Sequence, residues 1–445
     1  MKRPTILCTL ILFIFGCTPG LLPIPLTIKT SQVTKTYEVL NYPQESKTTP
    51  TSVLEPLSAS LDADIPSHEE ITIPTAPPQT PTLPPQPLPG EQTQAAQVIA
   101  QQSINPLTGL AVADASKLER RPIAIKISNY PRNVRPQCGL SLADIVYEYY
   151  LEQNVTRFMA IFYGNDAEKV GPVRSGRFFD EHIFRMYQAF YVFGSADDRV
   201  MDYFLTLEKS IVNHFVMEQP EDKKQTCQEG ISVPLCRDRS IHSWNNLFVN
   251  TAALMERIEE KGIDNTRPNL SGMVFAEQVM PAGKPAGSHT TFAAGSIDLD
   301  YSVFMYALWV YDENQGRYLR FDDAQDNLRS AGKVYAPLLD RLTNQVVAAD
   351  NVVVLFVPHE HFLQSNSTEI LQIQLTGSGQ AYLFRNGTFY PGKWVRPEGE
   401  GVLYLVTNEG DPLPFKPGVT FFEVMGVSTL VWMENGNWHF DFRMP

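Results

Sequence analysis

Basic residues are in short supply in this chain. Its 36 Lys and Arg face 49 Asp and Glu, a formal charge of −13 over 445 residues. A nucleic-acid binder needs a basic face to displace counterions from phosphates, so the charge argues against that class. It argues equally against a polybasic clamp on an anionic membrane. The N-terminal apolar run, Ile6–Phe15, is only ten residues long, too short to span a bilayer as a stable helix. Catalytic signatures are sparse as well. No His-Glu-x-x-His spacing marks a zinc protease, no Gly-x-Ser-x-Gly elbow surrounds Ser175, and no internal repeat is evident.

What remains still suffices for a folded protein. The apolar fraction is 43%, enough for a core, and the length suits about two or three domains. An acidic exterior fits a solvated envelope protein. Lys2 and Arg3 precede the apolar run, and Ile14-Phe15-Gly16-Cys17 resembles a bacterial lipobox with Cys17 as the lipidated residue. Phe15 departs from the small or β-branched residue usual there, and an ordinary secretory signal is the competing reading. The lipoprotein reading takes precedence because Cys17 sits where the apolar run stops. Two or more acyl chains are the condition for stable anchoring. The expected first partner is therefore a lipid bilayer, and the expected address is the extracytoplasmic face of the cell membrane.

Residues 1–17 are thus a signal. Residues 18–104 are a tether holding 15 of the chain's 34 prolines, which favour an extended, semi-rigid spacer. A short helix is expected near 92–102. From there the pattern predicts an α+β fold: a mixed sheet with helices in the N-terminal part and a largely antiparallel, β-rich C-terminal part. Residues 105–265 form the first domain, 266–330 a connecting hairpin region and 331–445 the second domain. Strands are expected over 122–127, 145–151, 157–163 and 189–193, and helices over 176–188, 198–207 and 246–261. Asn386-Gly387 and Asn435-Gly436 predict two-residue hairpin turns.

The candidate site lies between residues 129 and 177, where polar turns carrying arginine bracket two strand-like runs. Arg135, Arg157, Arg174 and Arg177 suggest a face for an acidic ligand, and Ser175 is placed to cap a following helix. The competing reading pairs Arg174 and Arg177 with Asp144, Glu148 or Glu152 inside the fold, and it weighs more. Asp144 and Glu148 stand four residues apart, on one face of a strand, as acid and base would; an ordinary structural role is favoured. Asp197-Asp198-x-x-x-Asp202 invites a metal reading, but acidic residues also suit a helix start. His359 and His361 lack a third ligand. Neither a metal nor a cofactor is expected. Cys227 and Cys236 bracket a polar loop, and an oxidising exterior favours a disulfide between them.

Taken together, Asn105-Pro-Leu-Thr-Gly-Leu110, Arg135-Pro-Gln, Gly139-Leu, Ala143-Asp-Ile-Val-Tyr-Glu148, Thr156-Arg-Phe and Gly171-Pro-Val-Arg-Ser175 resemble the YerB-like lipoprotein family of bacteria. A second match lies near Ala349–Val353 and Leu375–Gly379, so the resemblance spans most of 105–426. It implies a membrane-anchored extracytoplasmic protein with a two-part domain of unknown function, and no particular activity. Two departures stand out. Cys138 occupies a position usually held by serine and is read as a free small residue. The segment Arg237–Phe248 aligns Asn245-Asn246 with a His-Asn pair of the family, and the nearest histidine is His242. The full candidate set is Asn129, Arg135, Asp144, Glu148, Arg157, Arg174, Ser175, Arg177, Arg239 and Asn246. The reading is a binding module for an anionic small molecule, a cell-wall fragment or an envelope protein. A hydrolase or transferase acting on envelope polymers, using Asp144 or Glu148 with Arg174, is the alternative, and a purely structural scaffold is the third.

Overall fold

The computed structural model describes residues 103–228, 232–241, 243–279, 292–328, 332–365, 369–397 and 401–444. The signal, Cys17, nearly all of the tether, the helix expected near 92–102, the Gly/Pro stretch 280–287, His242 and His289 lie outside them.

Alternating apolar runs become strands. In chain order these are β1 (Ile123–Ser128), β2 (Ile145–Tyr150), β3 (Thr156–Phe162), β4 (Phe190–Val192), β5 (Phe215–Val216), β6 (Leu235–Arg237), β7 (Leu247–Val249) and β8 (Phe292–Ala293). They continue as β9 (Ser296–Asp300), β10 (Tyr306–Asp312), β11 (Arg317–Asp323), β12 (Tyr335–Pro337), β13 (Ala348–Ala349), β14 (Asn351–Val357), β15 (His359–Gln364) and β16 (Glu369–Ile373). The last six are β17 (Gly377–Arg385), β18 (Thr388–Arg396), β19 (Tyr404–Val406), β20 (Thr420–Gly426), β21 (Leu430–Glu434) and β22 (Asn437–Asp441). The α-helices among the described residues are short: α1 (Asp180–Met186), α2 (Asp198–Thr206), α3 (Lys209–Val212) and α4 (Thr251–Glu260). The protein is accordingly a sheet-rich, largely β structure in which helices are sparser than an even α+β balance would have them.

The principal sheet has 11 strands along β19-β18-β17-β14-β20-β2-β3-β1-β4-β5, with β8 attached to β18. Its seam is β20, a late strand inserted parallel between β2 and β14, with Glu148 opposite Glu423 in register. A second, 7-stranded sheet follows β12-β11-β10-β9-β22-β21, with β13 beside β11. The two pack face to face. Ile123, Ile125 and Ile127 of β1 share a core with Trp309, Tyr318 and Phe440 of the second sheet. The opposite face of the principal sheet carries Tyr147, Tyr149, Met159 and Ile161 against Phe179, Ile183 and Phe184 of the α1 region and Phe204 of α2. Strand alternation thus divides the charged side chains of β1, β2 and β3 between two faces.

Both expected hairpin turns form, with Asn386 and Gly387 at φ 52° and 65° and Asn435 and Gly436 at 52° and 79°. Two helices differ from expectation. The one predicted over 246–261 begins only at Thr251, because Leu247–Val249 pairs with β6 and the Asn250 side chain caps the Ala253 N–H. The one predicted over 176–188 shrinks to α1. Asp197, by contrast, caps α2 by accepting from the Arg199 N–H, so it serves a helix start.

Candidate functional site

Beyond β3 the chain returns along the edge of β1. The Ser128 N–H donates to the Pro172 carbonyl and the Arg174 N–H to the Lys126 carbonyl, both at 2.9 Å. Residues 172–174 therefore flank the end of β1 where β4 no longer reaches. On the far side, Gly194 donates to the Arg174 carbonyl (2.9 Å) and Gly176 to the Ser195 carbonyl (2.7 Å). Position 176 has to be glycine, since a Cβ there would lie 2.6 Å from the Tyr191 hydroxyl. The loop is thus pinned on both sides, which fixes Arg174, Ser175 and Arg177 beside Lys126 of β1 and Arg157 of β3.

The charges at this edge do not cancel. Lys126 and Asp180 form a fully buried pair at 2.9 Å, and Asp180 also accepts from the hydroxyls of Tyr149 and Tyr191 and from the Arg177 N–H. Arg177 grips Glu152 with its Nε at 2.7 and 2.9 Å and with Nη2. Burial opposes that guanidinium's charge, but Glu152 outweighs it and raises the Arg177 pKa. Arg157 is 8% exposed and donates from Nη1 to the Ser175 carbonyl at 2.6 Å. Arg174 donates from Nη1 to the Trp244 carbonyl at 2.6 Å, and its Nε is buried without a partner. Neither Arg157 nor Arg174 is ion-paired with a carboxylate among the described residues. Burial, then Arg177 and Arg174, push Arg157 down to about 9; burial, then Arg177, lower Arg174. Burial likewise brings Lys126 down to about 7. Four cations thus share two carboxylates, with Asp197 nearby but bonded to Arg199.

Such a cluster is complementary in charge to an oxyanion. Guanidinium groups present several N–H donors in a fork that matches carboxylate and phosphate. The hydroxyls of Ser175 and Ser195, 2.9 Å apart and exposed, lie on the same loop pair. Ser175 does not cap a helix as expected. Helix α1 starts five residues later, and the Asp180 carboxylate takes the Arg177 N–H itself. The arginines, not a helix terminus, are what the edge offers.

Glu148 belongs to the other face. Its Oε1 accepts from Asn129 Nδ2 at 3.0 Å and from the Thr156 hydroxyl, and its Oε2 accepts from Arg320 Nη2. Arg320, fully buried on β11, also bonds Glu423 (2.8 Å) and Asp322 (2.7 Å). Trp309 Nε1 and the Tyr301 hydroxyl donate to Glu423 at 2.8 and 3.0 Å. Arg135 links the cluster outward, donating to the Asn129 carbonyl and Oδ1 and to both carboxylate oxygens of Asp323. Burial pushes the Glu148 carboxyl up to about 8, against the pull of Arg320 and with the help of Glu423 and Asp322. This is a closed inter-sheet polar cluster.

Residues 107–264 match the family model described as the N-terminal domain of a protein of unknown function (DUF3048), and residues 297–422 match its C-terminal domain. The chain belongs to this two-part, YerB-like family. One relative, "Putative lipoprotein YerB" of Bacillus subtilis (strain 168), is 26% identical over 334 residues, which cover 72% of this chain and 85% of the relative. A crystal structure of YerB protein from Bacillus subtilis superposes with a TM-score of 0.57 at 24% identity, over 72% of this chain and 96% of that one. It shares the fold.

The other candidates of this DUF3048 chain are spread out. Asp144 accepts from the N–H groups of Tyr163 and Gly164 and from Asn105 Nδ2, so it ties turns together, and burial raises it to about 6. It has no hydrogen-bond partner in common with Glu148 among the described residues. Asn246 accepts from Arg237, itself held by Glu218. Arg239 donates to the Lys223 carbonyl at 3.2 Å. Cys227 and Cys236 are bonded. Cys138 is a free, buried thiol whose burial pushes it up to about 11, which makes it unreactive. His359 is buried with Nδ1 near the Val357 carbonyl, whereas His361 faces Glu369. No group of three or more metal-ligating side chains occurs among the described residues. Nor is any described helix long and apolar enough to cross a membrane.

Sequence reasoning passed over Lys126, Asp180, Arg320, Glu423 and Trp244. Three of them had a signal: a charge inside an apolar strand, as in Ile-Ala-Ile-Lys-Ile, Tyr-Leu-Arg-Phe and Phe-Phe-Glu-Val.

Proposed function

We propose that this chain is a lipid-anchored extracytoplasmic binding protein whose Arg157–Arg174–Arg177 edge takes an anionic ligand of the cell envelope. The observation that carries the reading is the pair of guanidiniums, Arg157 and Arg174, held side by side without a carboxylate partner among the described residues, on a protein whose formal charge is −13. Unpaired, partly buried charge is unfavourable unless something of opposite sign completes it. The anchor rests on the lipobox-like Ile14–Cys17 and on the name of the Bacillus relative. The hydrolase alternative, Asp144 or Glu148 acting with Arg174, draws no support from the contacts seen: Glu148 is held by Asn129, Thr156 and Arg320, Asp144 by Asn105 and the N–H groups of Tyr163 and Gly164, and Arg174 donates to the Trp244 carbonyl.

A thermal-shift titration tests the site. A ligand that binds only the native state raises the midpoint with ln(1 + [L]/Kd). Inorganic phosphate should raise it in wild type and lose that effect in Arg174→Ala, while the midpoint of the unliganded variant falls little. An unchanged phosphate response in Arg174→Ala would sink the proposal. For the anchor, Cys17→Ala should release the protein from membranes and abolish labelling by a radioactive fatty acid.

A further inference from the structure

The anion reading leaves open how much negative charge the edge calls for, and the loop around Ser175 supplies a count. Three guanidiniums gather there. The Ser175 carbonyl accepts from Arg157 Nη1 at 2.6 Å and from Arg177 Nη1 at 3.5 Å, so two cations converge on one oxygen. Arg174 branches from the preceding residue, and its charge opposes that of Arg157. Against these three stands one carboxylate, Glu152, and Arg177 Nε alone reaches both of its oxygens. Asp180 is engaged elsewhere: it is fully buried and accepts from Lys126, from the hydroxyls of Tyr149 and Tyr191 and from the Arg177 N–H. Asp197 is bonded to Arg199. The loop thus holds a surplus of two positive charges among the described residues, on Arg157 and Arg174. Each of these is seen bonded through Nη1 alone, and to a neutral carbonyl. A guanidinium has five N–H donors, so both keep donors to offer.

We infer that the charged group of the ligand is a phosphate monoester, rather than a phosphodiester or a single carboxylate; this rests on the anion-site reading above. A monoester brings close to two charges and three acceptor oxygens on one phosphorus. The charges balance Arg157 and Arg174, and the oxygens suit two guanidinium forks and the exposed hydroxyls of Ser175 and Ser195. A diester or a carboxylate carries one charge and leaves a partly buried guanidinium uncompensated. A dicarboxylate has the charge but spreads it over two planar groups, whereas these guanidiniums gather about one residue.

The test is a titration of the full chain, by thermal shift and calorimetry, with ethyl phosphate, diethyl phosphate, acetate and malonate at constant ionic strength. A pH of about 6.5 lies above the second ionisation of a monoester, near about 6. It also lies below the value of about 7 to which burial brings Lys126, so the Lys126–Asp180 pair balances itself. Ethyl phosphate should bind at least about tenfold more tightly than diethyl phosphate or acetate, and about threefold more tightly than malonate. Arg174→Lys keeps the charge count and loses the fork, so it should weaken ethyl phosphate yet preserve its preference over diethyl phosphate. Arg174→Ala should abolish all responses. If diethyl phosphate or acetate binds wild type as tightly as ethyl phosphate, the monoester inference is overturned and the anion site stands. Malonate binding as tightly as ethyl phosphate also overturns it, in favour of a dicarboxylate. If none of the four stabilises wild type, or if the responses survive in Arg174→Ala, both readings fall.

Discussion

The two faces of the principal sheet solve the problem of buried charge in opposite ways. Toward the second sheet, Arg320 lies among Glu148, Glu423 and Asp322, an excess of acid in a sealed interior. Toward the helices, Lys126 and Arg177 have carboxylate partners while Arg157 and Arg174 have none among the described residues, an excess of base at an edge. A sealed interior can correct its surplus only with a proton, which is why burial pushes Glu148 up to about 8. An edge can correct its surplus with a ligand. Acidic residues that look catalytic in the sequence thus sit in closed hydrogen-bonded clusters, and the proposed site rests on cations that the competing sequence reading expected to find paired.

The harshest test of this contrast is Arg320→Met. Removing one partner from a buried ion cluster typically costs about 3 to 5 kcal/mol, because the charges left behind stay buried. Denaturant unfolding should show a loss of that order. A loss below about 1 kcal/mol would mean that the inter-sheet cluster does not hold the sheets together. On the other face the two arginines should separate. Arg177→Ala strands the Glu152 carboxylate and should destabilise by about 1 to 3 kcal/mol. Arg174→Ala removes a cation that its neighbours repel and should stay within about 1 kcal/mol of wild type. Equal losses would place Arg174 among the structural residues.

Closing the loop between Cys227 and Cys236 contributes on a similar scale, by the loop-entropy estimate about 2 to 3 kcal/mol. Cys236→Ser should lower the thermal midpoint without altering phosphate affinity. A loss of binding in that variant would extend the site to the β6–β7 hairpin, to which Arg174 is already tied through Trp244.

The strands were the legible part of this fold. Runs such as Ile123–Ile127 and Val352–Val357 and the two Asn-Gly turns carry their structure in local pattern alone. Helix ends were less legible: Leu247 fits a helical stripe as well as a strand until the pairing with β6 decides it. The Cys227–Cys236 bond and the Arg177–Glu152 pair were within reach because their partners are near in sequence. Partners distant in sequence were not. Arg320 meets Glu148 across 172 residues, and Glu423 reaches Glu148 only because β20 enters beside β2. Strand order creates these meetings, and no local spacing encodes strand order. That Arg174 and Arg177 share one edge was legible in their spacing, whereas which of them meets a carboxylate is a property of the whole packing.

The pH test is the most discriminating, because the two faces should respond in opposite directions. Glu148 is raised from 4.5 to about 8 on folding. Between those values the native state holds the extra proton, so this group's stabilisation is full below 4.5 and is lost as pH rises through 8. Lys126 is lowered from 10.5 to about 7. Between 7 and 10.5 the unfolded chain holds the extra proton, so stability rises with pH in that window. One proton changes stability by at most about 1.4 kcal/mol per pH unit. Histidines complicate the acid side: burial lowers His182 and His359 to about 4, which makes stability rise with pH between 4 and 6.5. Differences between variants remove that background. Unfolding free energies of wild type minus Glu148→Gln should fall from pH 5 to 8 and then level off. Wild type minus Lys126→Met should be flat below pH 7 and rise from there toward 10. If both differences have the same sign of slope, the two faces do not carry opposite surpluses, and the contrast that sets the arginine edge apart fails with them.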